Sequence, residues 1–231
     1  MREFTISLLH RIYWFIITLL LRLNMIAIQR RIFYIRGMKI LVLEHVFPPI
    51  KTYSTELLLD VIDELSSVKN DLIICDIGTG TGILAIYAAI KGFKVIASDI
   101  SKIAVKNAKI NASLNNVNID IREGDLFDCY TPKELFDVIF FNPPYFPMKI
   151  KDDFSVMYAC GERYNTILRF LKQAKLHLKK DGKIFITLSS LIDEDFLLAC
   201  ARKLGYTIKK IREIKALPKE CISLYRLSLS S

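Results

Sequence analysis

The sequence predicts an α/β fold: a mostly parallel, seven-stranded sheet with helices on both faces and an antiparallel hairpin at its C-terminal edge. Three observations predict it. From residue 72 onward, short apolar runs alternate with longer amphipathic segments, the pattern of right-handed crossovers between parallel strands. Several of the apolar runs stop at an acid, an asparagine or a glycine-rich stretch, as buried parallel strands do where they enter loops. The last two runs, Tyr206–Ile214 and Ile222–Leu229, follow each other through Pro218 with no helix between them, which reads as a strand pair.

The elements follow in order. Leu72–Asp76 is a short apolar run ending in an acid, and Ile83–Ile90, apolar and alanine-rich, reads as a helix. Phe93–Ser98 is the second strand, stopped at Asp99. Ser101 caps a helix running to Leu114, with Ile103, Ala104, Ala108 and Ile110 on or near one face. Val117–Ile121 alternates as a strand, and Phe136–Phe141 is another, closed by Asn142-Pro143-Pro144. The spacing then predicts a long amphipathic helix over Tyr164–Lys180, closed by Asp181-Gly182, a strand over Lys183–Leu188 and a helix over Glu194–Leu204.

The 231 residues suffice for one domain, or for one domain with an extension. With 52% hydrophobic residues the chain is neither disordered nor collagen-like. The net charge of +9 fits an acidic partner, nucleic acid or a membrane surface without choosing among them. The five cysteines are scattered, odd in number and form no CxxC, and the three histidines stand apart. That pattern argues against a disulfide framework and against a metal site, and for free thiols in the cytoplasm.

Composition breaks at Gly37-Met38. Residues 1–37 hold six arginines, no lysine and a single acid, Glu3, whereas residues 38–231 hold six arginines and 21 lysines. Within the first segment Ile12–Leu21 carries no charge, but a bilayer span needs about 20 apolar residues and Arg22 interrupts. Three readings stay open for residues 1–37: an extension upstream of a start at Met38, a basic amphipathic helix lying on a membrane or partner, or an extra helix packed on the domain of residues 38–231.

Ligands of an open α/β sheet sit at the carboxyl ends of its strands, so the loops after strands are the candidate site. The first, Asp76-Ile77-Gly78-Thr79-Gly80-Thr81-Gly82, has the spacing G-x-G-x-G. A dinucleotide fingerprint needs G-x-G-x-x-G/A, and no Gly-Lys-Ser/Thr follows as in a phosphate-binding P-loop. Ser98-Asp99 ends the next strand, where the Asp99 carboxylate can accept both hydroxyls of a ribose. In Gly124-Asp125-Leu126-Phe127 the acid can accept from an exocyclic amine while Leu126 and Ile100 pack on the faces of the ring. In the fourth loop, Asn142-Pro143-Pro144-Tyr145, the prolines stiffen the turn. The Asn142 side-chain oxygen and the Pro143 carbonyl can accept the two N–H bonds of a planar NH₂ group, and Tyr145 offers a flat face for stacking.

In order and spacing these loops resemble the class I S-adenosylmethionine-dependent methyltransferases, over residues 50–229. The resemblance implies a Rossmann-like fold, S-adenosylmethionine as cofactor, and Asp76, Gly78, Thr79, Gly80, Gly82, Asp99, Ile100, Asp125, Leu126 and Asn142 as cofactor contacts, with Asn142, Pro143 and Tyr145 catalytic. The NPPY tetrapeptide is similar to that of the amino-methyltransferases, whose targets are adenine N6, cytosine N4 or the glutamine side-chain amide.

Three features lean toward glutamine. Residues 38–231 leave no room for the added target-recognition region of DNA-modifying relatives. Val46-Phe47-Pro48-Pro49, then Ser54-Thr55-Glu56-Leu57-Leu58-Leu59-Asp60, resembles the start of the HemK family of release-factor glutamine methyltransferases, in its short archaeal and eukaryotic type. Tyr158-Ala159-Cys160-Gly161 stands where that family has Ala-Gly-Gly. The departures are Ser54 in place of an acid, a longer spacing before the Leu-Leu run, and Cys160 in place of a glycine. They bear on Thr55 as a cofactor contact and on the exact substrate. The family implies the glutamine of the Gly-Gly-Gln loop of a class I peptide release factor as target, and a small zinc-binding activator subunit at the sheet edge as partner. The segment Phe146–Tyr158 is expected to line the substrate entrance. The alternative is an RNA or DNA adenine-N6 methyltransferase, for which Lys179-Lys180-Lys183 and Lys209-Lys210-Arg212-Lys215 would form a phosphate-binding surface.

Overall fold

The computed structural model describes residues 30–50, 52–68, 71–145, 159–218 and 220–230. It begins with a feature that the sequence pattern does not announce. Strands β1 (Arg31–Ile35) and β2 (Met38–Val42) form an antiparallel hairpin in which Ile35 faces Met38 and Arg31 faces Val42. Its two-residue turn places Arg36 at φ 46° and Gly37 at φ 80°, the mirror-image turn whose twist suits a hairpin. The composition break at Gly37-Met38 therefore falls on the turn between two paired strands. Of residues 1–37, only 30–37 are described; Ile12–Leu21 lies outside. Among the described residues no helix is long and apolar enough to cross a membrane.

Helix α1 (Tyr53–Ser66) follows, with Leu57, Leu58, Val61 and Ile62 buried along one stripe. Then come β3 (Ile73–Ile77), α2 (Ile83–Ile90), β4 (Lys94–Asp99), α3 (Lys102–Leu114), β5 (Asp120–Glu123) and β6 (Phe136–Phe141). After a 3₁₀ turn at Glu162–Tyr164 the chain continues through α4 (Asn165–Ala174), β7 (Leu178–Ser189), α5 (Glu194–Lys203), β8 (Tyr206–Leu217) and β9 (Glu220–Leu229). The seven-stranded sheet has the order β5-β4-β3-β6-β7-β9-β8. Pairings from β5 through β7 are parallel, and β9 runs antiparallel between β7 and β8. This is the Rossmann-like sheet the sequence predicts.

Both faces of the sheet are covered, which is why the central strands read as unbroken apolar runs. Successive residues alternate between the two cores. Ile74, Val138, Phe140 and Phe185 join β2, α1, α2 and α3 on one side, while Cys75, Ile139, Phe141 and Ile184 join α4 and α5 on the other.

Two predicted elements are corrected. The helix expected over Tyr164–Lys180 ends at Ala174, because the Phe136 N–H bonds the His177 carbonyl at 2.8 Å and Leu178 pairs with Phe136 at the start of β7. The buried His177 ring stacks on Phe127 at 4.8 Å and keeps the chain turned into the sheet. The predicted strand Val117–Ile121 is shifted to Asp120–Glu123.

Three asparagines four residues apart bind the hairpin to α3. Oδ1 of Asn107, Asn111 and Asn115 accepts the backbone N–H of Leu43, Leu41 and Lys39, at 2.8, 2.8 and 2.9 Å. Their Nδ2 groups donate to the carbonyls of Leu41 and Lys39. The four-residue spacing stacks them along one helix face, so side-chain amides take the place of a neighbouring strand. Asn111 Nδ2 also reaches the Thr81 carbonyl at 2.8 Å, tying the same helix to the glycine loop.

Candidate active site

The loops that leave β3, β4, β5 and β6 open onto one cleft of about 750 Å³. It collects nearly every residue singled out from the sequence: Asp76, Gly78, Thr79 and Gly80 from the first loop, Asp99 and Ile100 from the second, Asp125 and Leu126 from the third, and Asn142, Pro143 and Tyr145 from the fourth. Gly82 is placed elsewhere. It begins α2 at φ 83°, and a Cβ there would stand 3.0 Å from Ala108 Cβ, so it lets α2 and α3 pack closely.

The first half of the cleft is built from carboxylates and backbone N–H groups. Asp76 is buried, with its Oδ2 accepting from Thr79 Oγ1 at 2.6 Å. Burial, with the charge of Asp99 adding to it, pushes its carboxyl up to about 7. Asp99 accepts the Gly80 N–H on one oxygen and the Ser101 N–H on the other, both at 2.9 Å, and burial raises it too. It thus holds the glycine loop against the start of α3. Ser101 caps α3 by accepting from the Ala104 N–H, as expected. Ile100, half exposed, and Leu126, at φ 54°, supply the apolar walls. Asp125 meets a partner that sequence reasoning missed: Arg169 of α4, Nη1 to Oδ2 at 2.9 Å.

The second half is built from side chains. Asn142 Oδ1 accepts from Tyr145 OH at 2.9 Å and from Thr187 Oγ1 at 2.8 Å, and the two hydroxyls lie 2.9 Å apart. Thr187, on β7, is fully buried and was also missed. Its one signal is to be the polar residue in the apolar run Ile184–Leu188. The Tyr145 ring lines the cleft while its hydroxyl turns toward β7, and burial pushes the phenol up to about 12. Thr55, buried at the start of α1, bonds Thr52 at 2.8 Å and lines the cleft, as does Glu220, which accepts from Ser189 at 2.6 Å. Phe146–Tyr158 lies outside the described residues.

The family model of the methyltransferase small domain matches residues 38–215. The chain belongs to this family. The methyltransferase is 38% identical over 187 residues to a protein assigned as an N5-glutamine methyltransferase in Methanocaldococcus jannaschii, across 78% of this chain and 91% of that one. It is 34% identical over 163 residues to the release factor glutamine methyltransferase of Lactococcus lactis, across 65% of this chain and 58% of that relative. Among solved structures, the E. cuniculi Mtq2–Trm112 complex that methylates the eRF1 termination factor superposes with a TM-score of 0.63 at 20% identity, over 80% of this chain and 99% of the other; at that identity the likeness is one of fold.

The methyltransferase uses S-adenosylmethionine, and the first half of the cleft fits that cofactor. No heavy atom lies within 4 Å of where a Cβ would stand on Gly80, so the loop leaves an open cradle. Asp99 lines the cleft beside it as a carboxylate, and Ile100 and Leu126 offer apolar walls for a ring. Bound there, the cofactor supplies a methyl group already activated on a sulfonium. The residues at the other end have to hold and align an acceptor rather than act as a strong base.

Proposed function

We infer that this methyltransferase modifies the side-chain amide nitrogen of a protein glutamine, and that the glutamine is the one in the Gly-Gly-Gln loop of a class I peptide release factor. The observation that carries this is the position of Asn142-Pro143-Pro144-Tyr145. It stands at the end of β6, in the same cleft as the cofactor loops, where the Asn142 amide oxygen and the Pro143 carbonyl are the acceptors a planar NH₂ needs. Accepting both N–H bonds directs the nitrogen lone pair toward the methyl group. Asp76, Gly78, Thr79, Gly80, Asp99, Ile100, Asp125 and Leu126 hold the cofactor. The two relatives named for glutamine methylation support the protein substrate. A small activator subunit, zinc-binding as the family resemblance implies, is the companion of this reading, supported by the assembly of Mtq2 with Trm112. Its setting is the cytoplasm, where release factors act.

The basic clusters give the nucleic-acid reading little support. Lys179 pairs with Asp137 at 2.7 Å, Lys210 with Glu213, and Arg212 with Asp60 and Glu64, so three of the seven cations in these clusters are already answered within the chain.

A label-transfer assay tests the assignment. The full chain is given S-adenosylmethionine with a labelled methyl group and offered a class I release factor with its partner GTPase, total RNA and unmethylated DNA side by side. Label is expected on the release factor and is lost when the glutamine of its Gly-Gly-Gln loop is replaced. Label on RNA or DNA instead overturns the proposal.

A further inference from the structure

A carbonyl oxygen has two lone pairs, and both of those on Asn142 Oδ1 are occupied, by the hydroxyls of Thr187 and Tyr145. An NH₂ group that is to bond to this oxygen has to displace one of them. The two hydroxyls are not equivalent. Thr187 sits on β7, between Ile186, which pairs with both Phe141 and Tyr225, and Leu188, which pairs with Ser223, and it has no exposed surface. Tyr145, in the loop after β6, is half-buried. The Tyr145 hydroxyl also has somewhere to go, since Thr187 Oγ1 is 2.9 Å away and can accept from it.

We propose that Thr187 is the positioning residue of the acceptor site: it holds Asn142 permanently, and it takes over the hydrogen bond of Tyr145 when an amine enters. Before entry both hydroxyls donate to Asn142. After entry Tyr145 donates to Thr187, Thr187 still donates to Asn142, and the vacated lone pair accepts the amine N–H. No proton changes owner; one O–H bond rotates, and no buried polar group is left without a partner. A phenol is protonated and able to donate across the physiological range, and burial only pushes that of Tyr145 further up. If Thr187 is lost, Asn142 loses its fixed donor and keeps only the displaceable one. The proposal rests on the reading that Asn142 receives the acceptor nitrogen.

Thr187→Val keeps the shape and removes the hydroxyl; Thr187→Ser keeps the hydroxyl. At saturating acceptor, Thr187→Val is expected to lower kcat by about tenfold to a hundredfold, the cost of a poorly held reacting group, with the Kd for S-adenosylmethionine unchanged. Thr187→Ser is expected to restore most of the rate, and Tyr145→Phe, which removes only the displaceable donor, to lose less than Thr187→Val. A second readout needs no acceptor: with S-adenosylhomocysteine bound, the Asn142 side-chain NH₂ resonances should move in Thr187→Val and stay in place in Thr187→Ser. Unmoved resonances or an unchanged kcat in Thr187→Val overturn the proposal, and so does a Thr187→Ser variant as slow as Thr187→Val. Full activity in Asn142→Ala overturns the underlying reading of Asn142 instead, which separates the two failures.

Discussion

The two halves of the cleft are held in different ways. On the cofactor side, Asp76 is bonded by Thr79, and Asp99 by the N–H groups of Gly80 and Ser101. These contacts lie within one loop, or between the ends of adjacent parallel strands. On the acceptor side, the Asn142 amide is bonded by a hydroxyl three residues on and by another 45 residues away on the next strand. The cofactor side is thus held by partners near in the chain or at the end of the adjoining strand, and the acceptor side by a side chain brought from far along the chain. A fold can keep its cofactor cradle through many substitutions while the acceptor site changes with one or two. Chains with nearly the same sheet can therefore share a cofactor and differ in what they methylate.

The largest expected break in this comparison is Asn142→Ala. It should lower methyl transfer by at least about a hundredfold, the scale of losing a preorganised polar contact to reacting atoms. Calorimetric titration should find S-adenosylmethionine still bound with nearly the wild-type Kd. Loss of cofactor binding in that variant would mean that the halves are not separate and that Asn142 serves the cofactor first.

An intermediate effect is expected from pH. The Asp76 carboxyl, raised by burial and by Asp99 from an ordinary value of 3.8 to about 7, is protonated below neutrality in the free protein. A cationic cofactor favours the ionised form, so its affinity should rise as pH climbs toward 7 and level off above. Asp76→Asn should flatten that rise, and binding curves between pH 5.5 and 8.5 check it. The sign for stability is opposite. The folded protein holds this proton where the unfolded chain has released it, so the unliganded protein should lose stability as pH rises from about 4 to about 7. An affinity that does not vary with pH would remove Asp76 from the cofactor's surroundings.

The smallest effect is expected at Arg169. Its pair with Asp125 is partly exposed on both sides, and such pairs contribute at most about 1 kcal/mol. Arg169→Met should weaken cofactor binding by no more than about fivefold, read by the same titration. Tighter binding would show that Arg169 competes for Asp125 instead of orienting it.

The same contrast explains what the sequence makes legible. Ile83–Ile90 and Phe136–Phe141 are found where periodicity puts them, and the Ser101 cap is found too, because each depends on its own neighbours. The glycine loop and its acids are legible for the same reason. The helix over Tyr164–Lys180 is overextended because its amphipathic pattern runs on through Leu178, while the stop comes from Phe136, which pulls the chain into the sheet. The hairpin β1–β2 gives a periodic signal in only one strand: Met38, Ile40 and Val42 alternate, but β1 exposes Ile32 and Tyr34, and its turn carries Arg36-Gly37 rather than a familiar turn pair. Thr187 and Arg169 are partners through space, and no local spacing points to them.

The asparagine ladder gives the hairpin a further significance. Strand β2 has two hydrogen-bonding edges: the side chains of Asn107, Asn111 and Asn115 close one, and β1 closes the other. Residue 38, where the match to the family begins, is the first residue of β2. A polypeptide trimmed to that homology limit would keep the seal made by α3 and lose the one made by residues 31–35, baring a row of amides and carbonyls beside an apolar strand. Such a bare strand is a template for sticking to a second molecule. Here residues 31–35 cover that edge of β2, and the open edge of the two-stranded sheet passes to β1, which faces outward with Ile32 and Tyr34.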